Sequence, residues 1–404
     1  MILTRLKESL YDRLPLSTKL SLKELAFRRD GSKTEIGDKP WVIVFDERIP
    51  TPDRDAGSLR MMRILSTLGE RWEVIFVPFT NRGDQEHILT EAGVKVANVA
   101  EYRRLIHDPR AIAAIVSRPT MADLFTARIR RLNPRIRIIF DTVDVHFVRL
   151  QREYELTGDP ATKADADLHR DAEARLAREA DAIWCASADD ELNIRQVVSG
   201  CDSVIVPTLH DLHDSGLSFE ERAGLLFVGS FAHRPNADAV IYFLREIFPI
   251  VQRSMPDVTC HIVGADPPSE IMSHASESVH VHGYIPDLES ILQNVRVFIA
   301  PLRYGGAGTK GKVGEALAHG LPVVCTSIGA EGFGLRSGVD AVIADEPEAF
   351  AEAVCQVHSG KELWTGLATH GRKRIEAEFT PAAVSAKIFA SVEPEAFTGV
   401  ITNS

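Results

Sequence analysis

Twice along this chain of 404 residues, short apolar runs rich in β-branched side chains alternate with stretches of helical periodicity, and one polar interval separates the two series. A strand buried on both faces reads as such a run, and parallel strands need a helical crossover between them, so the alternation predicts parallel sheets covered by helices. The first series is Trp41–Phe45, Trp72–Val77, Ala113–Ser117, Ile136–Phe140, Ala182–Cys185 and Val204–Val206. The second is Leu225–Val228, His261–Val263, His280–His282, Val297–Ala300, Val323–Cys325 and Ala341–Ile343. Between them, residues 208–221 (TLHDLHDSGLSFEE) lose the apolar rhythm and read as a connector. The length exceeds one ordinary core and divides into two α/β domains of roughly 150 to 200 residues. Tandem domains of this class hold ligands in the cleft between them, outside the carboxyl ends of their strands.

Composition removes several function classes. A formal charge of −11 disfavours nucleic acid as a main partner, because a polyanion needs a basic surface. The five cysteines are odd in number and scattered, without a CxxC pair, which argues against a disulfide framework or a zinc knuckle. No run of about eighteen apolar residues suggests a membrane span, and the first residues lack a secretory pattern, so the cytoplasm is the expected compartment. Residues 1–40 stand apart as an extension. Leu3, Leu6 and Leu10 fall at helical spacing among Arg5, Lys7 and Arg13 before Pro15. The favoured reading is a surface helix packed on its own protein, with peripheral contact of residues 1–30 at the inner face of a membrane as the alternative.

The segment 301–324, PLRYGGAGTKGKVGEALAHGLPVV, carries the chemistry. Its glycines follow an apolar strand and precede a helix expected to start near Lys312. Gly305, Gly306, Gly308 and Gly311 allow close backbone approach, and the first amides of that helix point outward, where an anion binds. Lys310 and Lys312 add the charge that a departing nucleotide diphosphate requires. Glu315, one turn in, can accept from ribose hydroxyls. The plain alternative is a solvated helix face with Lys312 and Glu315 paired at i, i+3.

Glu315, Ala316, Ala318, Gly320, Pro322 and Val323 match the Glu-Ala-x-Ala-x-Gly-x-Pro-Val helix of the retaining glycosyltransferases of family 4, and the segment resembles their donor site. The resemblance extends through FVGSFAHRPNADAV at 227–240, HGYIPDLESIL at 282–292 and GAEGF at 329–333. It implies the GT-B fold, two facing Rossmann-like domains with an interdomain cleft, in an enzyme of the bacterial surface-glycan type. On that template residues 41–207 form the acceptor domain, 208–221 the linker, 222–380 the donor-nucleotide domain, and 381–404 a helix crossing back to the first domain. The implied reaction moves a hexosyl or deoxyhexosyl group from a nucleotide diphosphate sugar to a hydroxyl of a glycan or lipid-linked saccharide, with retention. The resemblance, read together with the residues themselves, gives Gly57, Gly229, Arg234, Tyr284, Ile285, Gly306, Ala307, Gly308 and Thr309 as the expected donor site, and His146, Lys310, Lys312 and Glu315 as the expected catalytic residues.

The chain departs from the family pattern at definite places. Ala307 stands where the family has a glutamate against the transferring sugar, and Ser230 and Pro235 stand where many members have a basic pair. Phosphate charge then falls to Lys310 and Lys312, with Arg234. In IIFDTVDVHFVRLQRE at 138–153, His146 matches a first-domain histidine beside the sugar. Asp141 and Asp144 lack the DxD spacing of metal-dependent transferases and read as loop-fixing residues. Neither a metal nor any other cofactor is expected. In PTPDRDAGS at 50–58, Asp55 and Ser58 are candidate caps, and Arg54, Asp55 and Arg60 are either acceptor contacts or surface charges. Two other functions share this architecture, a nonhydrolysing sugar-nucleotide epimerase and a non-catalytic GT-B module of a glycan-assembly complex.

Overall fold

The computed structural model describes residues 14–30, 33–52, 56–80, 85–213, 218–305 and 308–393. Leu3, Leu6, Leu10, Arg54, Asp55, Gly306 and Ala307 lie outside them.

Two parallel sheets build two Rossmann-like domains. The first contains β1 (Trp41–Asp46), β2 (Glu73–Pro78), β3 (Lys95–Val96), β4 (Ala111–Ser117), β5 (Arg137–Asp141), β6 (Ala182–Cys185) and β7 (Ser203–Ile205), in the order β3-β2-β1-β4-β5-β6-β7. The second contains β8 (Leu225–Val228), β9 (Cys260–Val263), β10 (Val279–Gly283), β11 (Val297–Ala300), β12 (Val323–Cys325) and β13 (Val342–Ile343), in the order β10-β9-β8-β11-β12-β13. Every pairing is parallel. All six residues of β1 are buried, as both faces of a covered sheet require. The Trp72–Val77 run enters its strand one residue late, since Trp72 instead closes the preceding turn by donating its N–H to Leu68 O at 3.0 Å. The two-residue β3 was not among the expected strands.

Each sheet reverses its direction of growth once, between β1 and β4 in the first domain and between β8 and β11 in the second. The loops after these four strands line the crevices where doubly wound sheets bind ligands. A Cβ on Gly264 would lie 2.0 Å from Gly229 O, so the β8 and β9 ends meet at a distance only glycine allows.

Eight helices frame the cleft and its surroundings: α1 (Leu16–Asp30), α2 (Ala56–Gly69), α3 (His146–Thr157), α4 (Pro160–Glu179), α5 (Ala188–Val197), α6 (Gly311–Ala318), α7 (Lys361–Glu378) and α8 (Pro381–Val392). The first docks on the first domain through buried Leu20 and a Glu24–Arg103 ion pair at 2.8 Å. The last packs its Val384, Ile388 and Val392 into the first-domain core beside α2. There Trp184 Nε1 donates to Ser391 Oγ at 2.9 Å. The chain therefore passes between the domains twice, once through the connector and once between α7 and α8. Among the described residues no helix is long and apolar enough to cross a membrane.

Candidate functional site

The amino end of α6 opens directly onto the cleft. Its first residue, Gly311, packs on Ala56, the first residue of α2, so tightly that a Cβ at 311 would lie 2.6 Å from Ala56 Cβ. Two helix N-termini thus converge from the two domains, and no side-chain cap closes that of α6. Each end carries partial positive charge, so the pair favours an anion between them. Gly57 is the second residue of α2, within this junction.

Glu315 lies one turn inside α6, in a ring of histidines. Its Oε2 is 3.3 Å from His210 Nδ1, and its Oε1 is 3.7 Å from His213 Nε2 and 3.8 Å from His319 Nδ1. Burial works against the carboxylate, but the His210 hydrogen bond and the charges of His210, Lys312 and His319 outweigh it and hold the group down to about 2. Glu315 therefore remains an ionised acceptor throughout the physiological range. His210 and His213 come from the stretch that reads as a connector. Lys312 sits partly exposed on the same helix and adds to the field on Glu315.

Lys310 turns inward. Its Nζ donates to Gly308 O at 2.8 Å and lies 3.4 Å from Glu331 Oε2. Burial lowers its pKa, against the pull of Glu331 and Asp190. Asp190, at the start of α5, faces this turn from the first domain, and a Cβ on Gly308 would lie 3.0 Å from Asp190 Oδ2. Both Asp190 carboxylate oxygens are buried, with the Ser187 hydroxyl favouring their charge. Burial, then the charge of Asp144, push the group up to about 7. Thr309 meets the connector, with Thr208 Oγ1 3.2 Å from its hydroxyl.

On the first-domain wall, Asp144 links His146 Nε2 at 3.0 Å and Arg149 Nη1 at 3.1 Å. Burial opposes its charge, yet His146, Arg149 and Arg118 hold the carboxyl well below its usual range. The same bond raises the His146 pKa over the opposing effect of burial. Glu173 of α4 accepts the His146 and Phe147 N–H groups at 3.0 and 3.1 Å and so caps α3. Burial pushes Glu173 up to about 7. The loop carrying these residues is strained. Asp144 N–H bonds to Thr142 O at 2.7 Å across Val143, whose φ is 63°, a γ-turn centred on a β-branched residue. Arg118, at the end of β4, has φ 71° and donates to Asp46 Oδ1 at 2.9 Å. The two strained residues thus stand at the carboxyl edge of the first sheet, where strain clusters at functional sites. Sequence reasoning missed Arg118, Glu173, Asp190, His210 and His213.

The remaining candidates are placed differently. Arg234 spans the cleft to Glu153 Oε1 at 2.6 Å. Gly229 donates its N–H to Val263 O at 2.9 Å within the β8–β9 pairing. Tyr284 is exposed and Ile285 partly buried just past β10, the edge strand. Arg60 corrects the expectation of a surface or acceptor contact. It is 1% exposed, 2.8 Å from Asp141 Oδ1, and donates Nε to Val206 O at 2.8 Å. Asp141 also accepts from Ser117 Oγ at 2.6 Å, so this pair braces the sheet beneath the loop.

Polar bridges hold the cleft closed. Arg152 grips Glu331 with two hydrogen bonds of 2.7 Å and donates to Gly305 O at 3.2 Å. Gly332 N–H donates to Asp189 Oδ2 at 3.2 Å.

Residues 222–359 match the family described as "Glycosyl transferases group 1", and those residues contain β8, β9, β10, β11, β12 and the whole of α6. A Klebsiella pneumoniae protein, described as an uncharacterized 44.6 kDa protein in the cps region, is 25% identical over 201 residues, covering 46% of this chain and 49% of its own. The match thus spans about half the length of that curated relative. The Anabaena Alr3699/HepE structure in complex with UDP and glucose superposes with a TM-score of 0.67 at 12% identity, over 87% of this chain and 99% of its own. A S. aureus TarM mutant in complex with Fondaparinux, alpha-GlcNAc-glycerol and UDP superposes with a TM-score of 0.66 at 9% identity, over 88% and 100%. The chain has the GT-B fold.

Proposed function

We propose that the chain transfers a sugar, hexosyl or deoxyhexosyl, from a nucleotide diphosphate sugar to a hydroxyl of a glycan or lipid-linked saccharide, with retention and without a metal. One observation carries the reading. The N-termini of α2 and α6 meet at Ala56 and Gly311, a convergence of positive dipole ends that a diphosphate relieves. The match of 222–359 to group 1 glycosyl transferases supports it, and the UDP named in the HepE and TarM complexes makes UDP the first nucleotide to try.

On this reading Glu315 accepts from the ribose hydroxyls, and the α6 amides with Lys312 take the charge that develops on the leaving diphosphate. Lys310 acts at one remove, holding the Gly308 carbonyl and Glu331 in place. The bond from the anomeric carbon to the diphosphate oxygen breaks as the acceptor oxygen bonds on the same face. The acceptor proton passes to the departing phosphate. His146, oriented by Asp144, faces the sugar from the opposite wall.

The test is a thermal-shift panel of nucleoside diphosphates, since a ligand of the native state raises apparent stability. Transfer assays with the matching nucleotide sugars and a glycan acceptor follow. Transfer only with acceptor present supports the reading, whereas interconversion of the sugar nucleotide alone identifies an epimerase. Binding without either reaction identifies a non-catalytic module.

A further inference from the structure

We infer that His213, Glu315 and His319 form a binding site for a divalent transition-metal ion of the zinc class, whose occupancy withdraws Glu315 from the nucleotide. The consequence for the nucleotide rests on the donor-site reading above, whereas the metal site itself does not.

One ligand atom from each of the three residues lies within 4.8 Å of the other two. Two imidazoles and a carboxylate are a donor set suited to zinc, with a fourth position left for water. A tetrahedral zinc ion separates its ligand atoms by about 3.3 Å, so His213 Nε2, 3.7 Å from Glu315 Oε1, stands near ligand spacing, while the His319 ring, whose Nδ1 is 3.8 Å from the same oxygen, must present Nε2 to the ion.

Each ligand is already held by a second contact, the arrangement that fixes tautomer and ring direction in metal sites. His319 Nδ1 lies 2.9 Å from the Glu315 carbonyl. A carbonyl only accepts, so Nδ1 carries the hydrogen and Nε2 the lone pair. That Nε2 is buried without a hydrogen-bond partner in a residue only 2% exposed. An orphaned acceptor of this kind carries a free-energy cost that an ion would offset.

His213 is pinned through its backbone. Its N–H donates to Ala318 O at 3.3 Å, and its carbonyl accepts from Arg372 Nε and Nη2 at 3.2 and 3.0 Å. Its ring stacks on that of His319 at 3.9 Å and 11°, so the two in-plane lone pairs converge on one ion only when the His213 side chain turns out of the stack. Glu315 is steadied by His210 on Oε2, which leaves Oε1 for the other two histidines. His213 is a third exposed and provides the way in from solvent.

The test uses the full chain stripped of metal and titrated with Co²⁺, whose visible d–d band reports nitrogen and oxygen ligation. One equivalent should bind and be displaced by Zn²⁺. His213→Ala, the exposed position with least cost to folding, and His319→Gln should each weaken binding at least about tenfold, or 1.4 kcal/mol. No saturable band below about 100 µM cobalt, or equal affinity in both variants, overturns the site and leaves only a hydrogen-bonded histidine cluster. With free zinc buffered, the occupied wild type should bind the nucleoside diphosphate at least about tenfold more weakly than the metal-free protein, and His213→Ala should lose this response. Unchanged nucleotide affinity overturns the competition. Failure of the metal-free protein to bind any nucleoside diphosphate refutes the donor-site reading and the competition with it, while the cobalt titration decides the metal site alone.

Discussion

The imidazole of His210 lies over Gly314, so close that a Cβ at position 314 would sit 2.2 Å from Nε2. Helix propensity alone says that Gly314→Ala should stabilise α6 by about 1 kcal/mol. The contact says the opposite. His210 is fully buried and its backbone N–H is tied to Phe379 O at 2.8 Å, so the ring cannot retreat. Overpacking of this kind costs about 1 to 3 kcal/mol, and the displaced ring releases Glu315. The variant should melt below wild type and bind nucleoside diphosphate about tenfold more weakly. A melting temperature above wild type would mean that the ring is free to move.

Glu315→Ala and Lys312→Ala separate binding from turnover. Loss of the ionised carboxylate should weaken nucleoside diphosphate binding about tenfold or more, the size of a lost charge-assisted hydrogen bond. Loss of Lys312 should reduce kcat about tenfold to hundredfold while changing nucleotide affinity less, because leaving-group charge grows toward the transition state. Calorimetry and steady-state kinetics read the two effects. Wild-type behaviour of both variants would remove α6 from the donor site.

Asp190 gives the stability a pH dependence of definite sign. Its folded pKa, about 7, lies above the ordinary aspartate value, so the folded state holds a proton that the unfolded chain has released. Stability from this group is therefore lost as pH rises from about 4 to 7, and Glu173 and Asp46, raised to about 7 and about 6, act in the same direction. Asp190→Asn should flatten the slope. It should be more stable than wild type at pH 8 by on the order of 1 to 3 kcal/mol, with the difference shrinking toward pH 4. Denaturant melts at the two pH values measure it. An equal difference at both would assign the effect to packing.

The Arg152–Glu331 bridge is the strongest candidate for the closing contact, since both hydrogen bonds are short and both side chains are mostly covered. Arg152→Ala should open the cleft, increase the radius of gyration in solution scattering and raise the KM for donor about tenfold. In a double-mutant cycle, Glu331→Gln should add little to Arg152→Ala. An unchanged scattering profile would show that the remaining bridges suffice.

The expected strands were legible because a buried parallel strand must be apolar along its whole length, as in Val297–Ala300. Lys95–Val96 was not, because two residues carry no periodicity. Glu315 stood out as a candidate by its place one turn into the expected helix and by its match to the family motif. Its histidine ring was not, since His210 reaches it across 105 positions from a segment without regular structure. Glu173 and Asp190 look like ordinary exposed helix acids until the fold buries them, and nothing local marks Val143 for a positive φ. Arg60 misled for the converse reason, as an arginine earns burial only through a partner, here Asp141, that sequence proximity does not reveal.

Chelation separates the reaction from the histidine cluster. In the proposed mechanism the leaving charge is met by the α6 amides and Lys312, so no step draws on an ion. Adding EDTA to the purified protein should leave turnover unchanged, and in preparations carrying zinc it should raise it by freeing Glu315. Added Mg²⁺ should not restore or enhance activity. Loss of turnover in chelator, recovered by Mg²⁺, would instead place an ion on the diphosphate, and the convergence of α2 and α6 would then be insufficient for catalysis.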